Sequence, residues 1–365
     1  MPTNKTWLPD RKSPEGQTLE RDYPTASYQQ LNEWAAEYGY KSADSFKNAM
    51  QKRWGQFRAG MYGHKRQGET PIEVKVITPE IIQYKPSTSG KGDPETQVIV
   101  IGDDHAGEIT PTFNVEIYNQ RFKKLFQSAL TITNLHRNMY PLNDLVIIDV
   151  GDNVHGENPY QGAVVGTVGQ GAIDQVYDIA LPAITSLLIS LRQEFKTIKF
   201  YGVRGNHGKY SRTAPRTSNW DTALYKALGK ATLPQGIEIN YSEDFKMLVN
   251  IEGFRFFVFH GDQVNATMGI PYFALMRAVK DWYSTFDGFP YAICGHFHKD
   301  DFLRVWSSTK LLINGSLVTD DPWALEVIKA SSIPNHWTFG VHKNRGLTWL
   351  YSLILDTKFL PNKGG

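Results

Sequence analysis

The residues able to do chemistry stand in five short motifs, each directly after an apolar run. Gly102-Asp103-Asp104-His105 follows VIVI, and Gly151-Asp152-Asn153-Val154-His155 follows LVIIDV. Arg204-Gly205-Asn206-His207 follows KFYGV, His260-Gly261-Asp262 follows RFFVF, and Gly295-His296-Phe297-His298 follows YAIC. In each, a buried strand delivers a ligand-type side chain at its rim, with glycine nearby to let the backbone approach an ion or a phosphate. Read as extended chain, Asp103 and His105 point to the same side and can chelate one ion. The donors are carboxylates, imidazoles and an amide oxygen, without thiolates. That mix suits two divalent ions, manganese first, with iron or zinc as alternatives, and not a cysteine zinc site. Two ions about 3.5–4 Å apart, bridged by an aspartate, clamp the attacking and leaving oxygens of a phosphoryl displacement, so the chemistry expected is hydrolysis. A lone histidine after a strand means little. Here six of ten histidines, His105, His155, His207, His260, His296 and His298, fall in the motifs. His64, His136, His336 and His342 read as structural.

Those motifs need a scaffold, and the pattern supplies one from Gln97 onward. Short apolar strands alternate with amphipathic helices: QVIVIG, a helix from about 114 to 137, LVIIDVG, a helix from about 172 to 195, then TIKFYGV. This order predicts a layered α/β sandwich with loops gathered at the strand ends. The later segments FKMLVNIEGFRFFVFHG, YAICGH, LLINGSL and LTWLYSLILD are richer in strands, so the sheet is expected to turn mixed or antiparallel there. The segment from Asn265 to Phe286 is amphipathic and reads either as a lid or as a partner surface.

Ahead of this domain lies a small appendage, residues 1–66. Up to about residue 24 the chain is polar with Pro2, Pro9, Pro14 and Pro24, and reads as an irregular arm. Tyr28, Leu31, Trp34, Ala35 and Tyr38 then mark one helix ending at Gly39; a second starts at Ser42 and runs through Phe46, Ala49, Met50 and Arg53. The pair fits either a helix-turn-helix that reads nucleic acid or a hairpin that only packs. Residues 67–96 hold a predicted strand, IEVKVI, and a Pro/Gly/Ser-rich linker; residues 97–365 form the catalytic domain.

Composition narrows the classes. With 365 residues, 41% hydrophobic, the chain can bury a full core. A single cysteine, Cys294 in YAIC, excludes an internal disulfide and reads as a core residue. There is no apolar run of about 18 residues and no secretory h-region at the start, so a cytoplasmic protein without membrane contact is expected. Net charge is only +2, but Lys41, Lys47, Lys52, Arg53, Arg58, Lys65 and Arg66 face a single acid, Asp44, between residues 41 and 66. With Phe46, Trp54, Phe57 and Tyr62 interleaved, this region could bind DNA through phosphate contacts and base stacking.

In order and spacing, Asp103-x-His105, Gly151-Asp152, Gly205-Asn206-His207, His260 and Gly295-His296-x-His298 resemble the calcineurin-like metallophosphoesterases over residues 97 to about 320. LLINGSL resembles the strand that closes that domain. The resemblance implies an α/β/β/α sandwich with the helical appendage outside it. It also implies one metal on Asp103, His105 and His298, a second on Asn206, His260 and His296, and Asp152 bridging. Water activated between the ions would be the nucleophile, and His207 would act on the leaving oxygen. One departure stands out. The family has an acid after Gly-Asn-His, and here Gly208 takes its place, so Asp262 or Asp104 could serve instead. Gly-Asp-x-x-His, ending in His155, is similar to repair nucleases of the SbcD type, where that histidine positions the scissile phosphate. The implied activity is a phosphodiesterase or nuclease acting on DNA; a phosphoprotein, nucleotide or small-molecule phosphatase is the alternative.

Overall fold

The computed structural model describes residues 8–10, 12–23, 26, 28–54, 90–157, 168–211, 213–264, 271–320 and 333–359. The chain divides into two compact units, Met1–Ile77 and Thr78–Gly365. The predicted strand IEVKVI and most of the expected linker lie outside the described residues.

The first unit is helical, and it begins earlier than expected. Pro14–Asp22 forms helix α1, where an irregular arm was predicted. The prolines there are start signals: Ser13 Oγ accepts the Gly16 N–H at 3.1 Å, and Pro14 sits in the first turn, where its missing N–H costs nothing. Helices α2 (Tyr28–Glu37) and α3 (Ala43–Trp54) follow as predicted, with Ser42 Oγ accepting the Ser45 N–H at 3.3 Å. Leu8, Leu19, Tyr23, Leu31, Ala35, Tyr38, Phe46 and Met50 close one apolar cluster. Phe46 is fully buried, its ring stacked on Tyr38 and edge-on to Tyr40, so it packs the hairpin and cannot stack a base. The side chains of Trp54, Phe57 and Tyr62 lie outside the described residues.

The second unit carries two sheets rather than one sheet that changes character. In the first, β1 (Thr96–Ile101), β2 (Asp144–Asp149), β3 (Thr197–Gly202) and β4 (Glu238–Tyr241) run parallel. The second contains β5 (Lys246–Ile251), β6 (Phe254–Phe259), β7 (Tyr291–Cys294), β8 (Asp301–Arg304) and β9 (Lys310–Ile313), in the order β5-β6-β7-β9-β8. Strands β10 (Asn335–His342) and β11 (Gly346–Ile354) return to the first sheet, antiparallel, giving the order β11-β10-β1-β2-β3-β4.

The two-residue alternation of β1 and β2 explains the layering. Val98, Val100, Val146 and Ile148 face the second sheet and pack with Phe256, Val258, Ile293 and Leu312. Ile99, Ile101, Leu145 and Ile147 face the other way, against Leu125 of α4 (Val115–Arg137), Ile184 and Leu188 of α5 (Leu181–Arg192) and Leu224 of α6 (Trp220–Thr232). On the far side of the second sheet, Phe257, Phe259, Ala292 and Cys294 pack on Leu275 and Val279 of α7 (Tyr272–Thr285). The result is an α/β/β/α sandwich, with Cys294 in its core. Helix α7 occupies much of the segment read as a lid or partner surface; residues 265–270 lie outside the described ones.

The helix expected over 172–195 runs from Ala172 to Arg192, with a π-helical stretch inside it. A π-helical turn, Gln175–Ala180, precedes Leu181-Pro182, where the proline removes a backbone donor. By length and composition Ala172–Arg192 is apolar enough to cross a membrane, contrary to the expectation that no such run exists. Its Val176, Ile179, Ile184, Leu187, Leu188 and Leu191 are nevertheless spent on the core against the first sheet.

Candidate metal centre

The five motifs meet at one edge, where β1, β2 and β3 of one sheet and β6 and β7 of the other end. Carboxyl ends of parallel strands are where an open α/β sheet leaves room for a site. The backbone does more there than end a strand. Asp103, His105, Asp152, His296 and His298 all have left-handed φ, between 46° and 72°, and they are five of the eight non-glycine residues with positive φ among those described. Asp103 and His105 therefore do not converge by strand alternation as expected. The chain turns sharply at each, a conformation that is uncommon for residues with a Cβ and clusters at functional sites.

Glycines make the close packing possible. A Cβ at Gly205 would collide with Asp152 Oδ1, and one at Gly295 would collide with Asp103 Oδ2. Asp103 is buried behind this wall, its Oδ2 accepting the His296 N–H at 2.8 Å. Its carbonyl accepts from Ser316 Oγ at 2.6 Å and from the Leu317 N–H at 3.3 Å, so the LLINGSL segment braces the first motif.

Two donor clusters result. In one, Asp103, His105 and His298 bring a ligand atom each to within 4.8 Å of the others. His105 Nε2 and His298 Nε2 are 3.0 Å apart, and Asp103 Oδ1, 3.8 Å from His298 Nε2, is buried with no hydrogen-bond partner among the described residues. In the other, Asp152, His260 and His296 are equally close. His260 Nδ1 donates to the Val150 carbonyl at 2.7 Å, which turns Nε2 toward Asp152 Oδ2 at 2.9 Å and Asn206 Oδ1 at 3.0 Å. The structure thus brings together all seven residues singled out as ligands. The donor set and the orphaned Asp103 oxygen fit divalent cations.

Electrostatics separate the clusters. Burial pulls His298 down to about 4 and His296 down to about 3, the latter helped by the charge on His260, so both are neutral donors at ordinary pH. Burial acts the same way on His260, but the charge and hydrogen bond of Asp152, with the charge of Asp103, outweigh it and raise it to about 10. Burial also pushes Asp152 up, and there the surrounding histidines, His260 first, win and hold it well below the ordinary carboxylate range.

His207 lies beside both clusters. Its N–H donates to Asp152 Oδ1 at 2.7 Å and its ring is edge-on to His105, centroids 4.4 Å apart. The acid missing at Gly208 is replaced by backbone: His207 Nδ1 lies 3.1 Å from the His155 carbonyl, which can only accept, so Nδ1 carries a hydrogen there. Asp104 is engaged elsewhere, 3.1 Å from His336 Nε2 with Asn314 behind that ring, and Asp262 lies 3.8 Å from Lys209 Nζ. His155 is buried and forms a third group with His105 and His207.

Three supporting residues were not anticipated. Buried Asp221 accepts from the backbone N–H groups of Asp152 (3.1 Å), Asn153 (3.0 Å) and Gly205 (2.8 Å), tying the second and third motifs together. It follows the helix cap Asn219, where an aspartate reads as an ordinary complement to the helix dipole. Asp149 accepts from the Gly151 N–H and from Asn153 Nδ2. Gln175, opening the π-helical turn, clamps Gly156 through both its oxygen (2.8 Å) and its nitrogen (3.2 Å).

No protein-family model matches the chain, and no curated protein matches it. Solved structures do. Vps29 of Entamoeba histolytica, complexed with zinc, aligns over 70% of this chain and 99% of its own, at 13% identity and a TM-score of 0.34. A predicted phosphoesterase of Streptococcus pneumoniae aligns over 71% and 98%, at 8% identity and a TM-score of 0.30. A 5'-nucleotidase of Candida albicans aligns over 74% and 54%, at 12% identity and a TM-score of 0.34. At this level of similarity none of them assigns an activity, a metal or a partner to this chain. In the order of its motifs and in the α/β/β/α sandwich that carries them, the chain resembles the calcineurin-like metallophosphoesterases.

Proposed function

We propose that the protein is a two-metal phosphoesterase acting on phosphodiesters, with DNA as the substrate class. The observation that carries this reading is the pair of donor clusters, Asp103/His105/His298 and Asp152/His260/His296, built side by side with His207 and His155 at their margin. Asp103, His105 and His298 would hold one divalent ion, Asn206, His260 and His296 the other, with Asp152 between them. Bound there, such ions supply Lewis-acid polarisation of a phosphoryl oxygen and lower the pKa of water toward neutrality.

The chain's own groups do the rest. Asp152 is fixed at both oxygens, by the His207 N–H and by His260, so it holds its position without reorganising. His207, with Nδ1–H committed to the His155 carbonyl, leaves Nε2 as the atom that takes up a proton from water and, as the imidazolium, gives it to the leaving oxygen, returning to the neutral ring. Its environment lowers its pKa, chiefly by burial, against the opposing charge of Asp152. The preference for a diester rests on the Gly151-Asp152-x-x-His155 motif, whose histidine ring is buried beside His207. The basic residues from Lys41 to Arg66 are proposed as the nucleic-acid contact, through phosphates alone as far as Phe46 is concerned.

The test is hydrolysis by manganese-loaded protein of linear double-stranded DNA, single-stranded DNA, bis-p-nitrophenyl phosphate and p-nitrophenyl phosphate. Cleavage of DNA and the diester is expected. Cleavage of the monoester alone would establish the phosphatase alternative. Replacing Lys41, Lys52, Arg53 and Arg58 by glutamine should flatten the salt dependence of DNA affinity by up to about four units of slope. An unchanged slope would remove the basic region from the contact.

A further inference from the structure

Glu108 lies three residues after His105, and none of the roles above uses it. Its carboxylate is buried: the side chain is 3% exposed. The Glu108 N–H donates to the His105 carbonyl at 3.0 Å, so the chain closes a tight turn through Gly107 and brings the carboxylate back beneath the histidine. Gly107 takes φ of 89°, and a Cβ there would strike the Gln175 side chain. The turn is thus built to hold Glu108 in place.

Glu108 Oε2 stands 3.2 Å from His155 Nδ1 and 3.6 Å from His105 Nδ1. Both ring nitrogens are buried, and neither has a hydrogen-bond partner among the described residues. A neutral imidazole carries one N–H and one lone pair, and a buried carboxylate only accepts. A lone pair on either Nδ1 would face those of Glu108, which favours placing the hydrogen on Nδ1 in both rings. The lone pairs are then left on Nε2, which for His105 faces His298 Nε2 at 3.0 Å. His155 Nε2 is likewise buried and unpartnered, with its ring centroid 5.4 Å from that of His207.

We infer that Glu108 is a positioning residue that fixes two histidines at once, holding His105 as a metal donor and the buried His155 ring beside His207, both through their Nδ1–H tautomers. The assignment of those two targets rests on the phosphodiesterase reading; the tautomers themselves do not. A ligating histidine commonly gives its second nitrogen to a carboxylate, and losing that partner costs about 10–100-fold in metal affinity or activity. One carboxylate serving both a ligand and the histidine whose carbonyl holds His207 couples metal binding to the placement of His207.

The experiment reads the ring tautomers directly, by long-range ¹H–¹⁵N correlation of the histidine side chains in metal-free full-length protein. Wild type should show His105 and His155 as Nδ1–H. In Glu108→Ala both should shift toward Nε2–H, and the same shift should appear in Glu108→Leu, which has no acceptor. Glu108→Leu keeps much of the bulk of the buried side chain and so remains informative if Glu108→Ala does not fold. Manganese affinity by calorimetry should fall about 10–100-fold in either variant. Unchanged tautomers in a folded variant would overturn the inference, whatever happens to activity. Wild-type protein with Nδ1–H tautomers but no diester hydrolysis would instead overturn the functional reading alone.

Discussion

The two donor clusters use similar residues and solve different problems. Asp103/His105/His298 is open: two Nε2 atoms converge at 3.0 Å and Asp103 Oδ1 has no hydrogen-bond partner among the described residues. Asp152/His260/His296 is closed on itself, with His260 hydrogen-bonded to Val150, Asp152 and Asn206 and holding a proton that neighbouring carboxylates stabilise. A cation entering the first cluster satisfies a group already lacking a partner. One entering the second must displace a proton. The lesson is that two neighbouring donor clusters can be unequally prepared for a cation, with one poised and the other self-paired.

The largest effect is expected where the two halves join. Asp152→Asn removes the charge proposed to serve both ions and unbalances His260, so hydrolysis should fall on the order of 10⁴-fold on every substrate, measured with bis-p-nitrophenyl phosphate. Substantial residual activity would show that the halves act independently. Next in size, Gly295→Ala pushes on Asp103 and Gly205→Ala on Asp152. Each should cost about 10–100-fold in affinity for the ion of its own cluster, resolved by calorimetric titration with manganese.

A smaller contrast should appear with pH. His260 is raised to about 10, so at neutral pH it is protonated and must lose that proton to ligate, whereas His298 and His296 are already neutral. Affinity in the second cluster should therefore rise with pH, by up to about tenfold per unit, and flatten near pH 10. In the first cluster His105 and His298 are lowered by burial and add no such step, and the rise there comes from Asp103, whose carboxyl burial pushes well above the ordinary range. The smallest effect is Ser316→Ala. Losing its bond to the Asp103 carbonyl should lower stability by about 1 kcal/mol in urea denaturation, since the Leu317 N–H remains on that carbonyl.

Much of this contrast was legible in the residues. Five strand-end motifs announce seven candidate ligands because carboxylate, imidazole and glycine recur where apolar runs stop. The start of α4 at Asn114 and the role of Cys294 were equally plain. What could not be read was how the backbone turns. Left-handed φ at Asp103, His105 and Asp152 leaves no mark beyond the adjacent glycines, and strand alternation gave the right convergence for the wrong reason. Glu108, Asp221 and Gln175 were missed because a lone polar residue next to a motif looks like any surface residue until its burial is known. Helix α1 was missed because prolines near a start resemble prolines in an arm; Ser13-Pro14 with Glu15 behind it was the distinguishing signal.

The central claim is that two unequal metal sites share Asp152, and counting ions tests it most directly. Manganese titrated into the full-length chain at pH 7.5 should bind at two resolved sites per chain, the tighter one lost in Asp103→Ala and both weakened in Asp152→Asn. A single site per chain, or two that are lost together in Asp103→Ala, would contradict it.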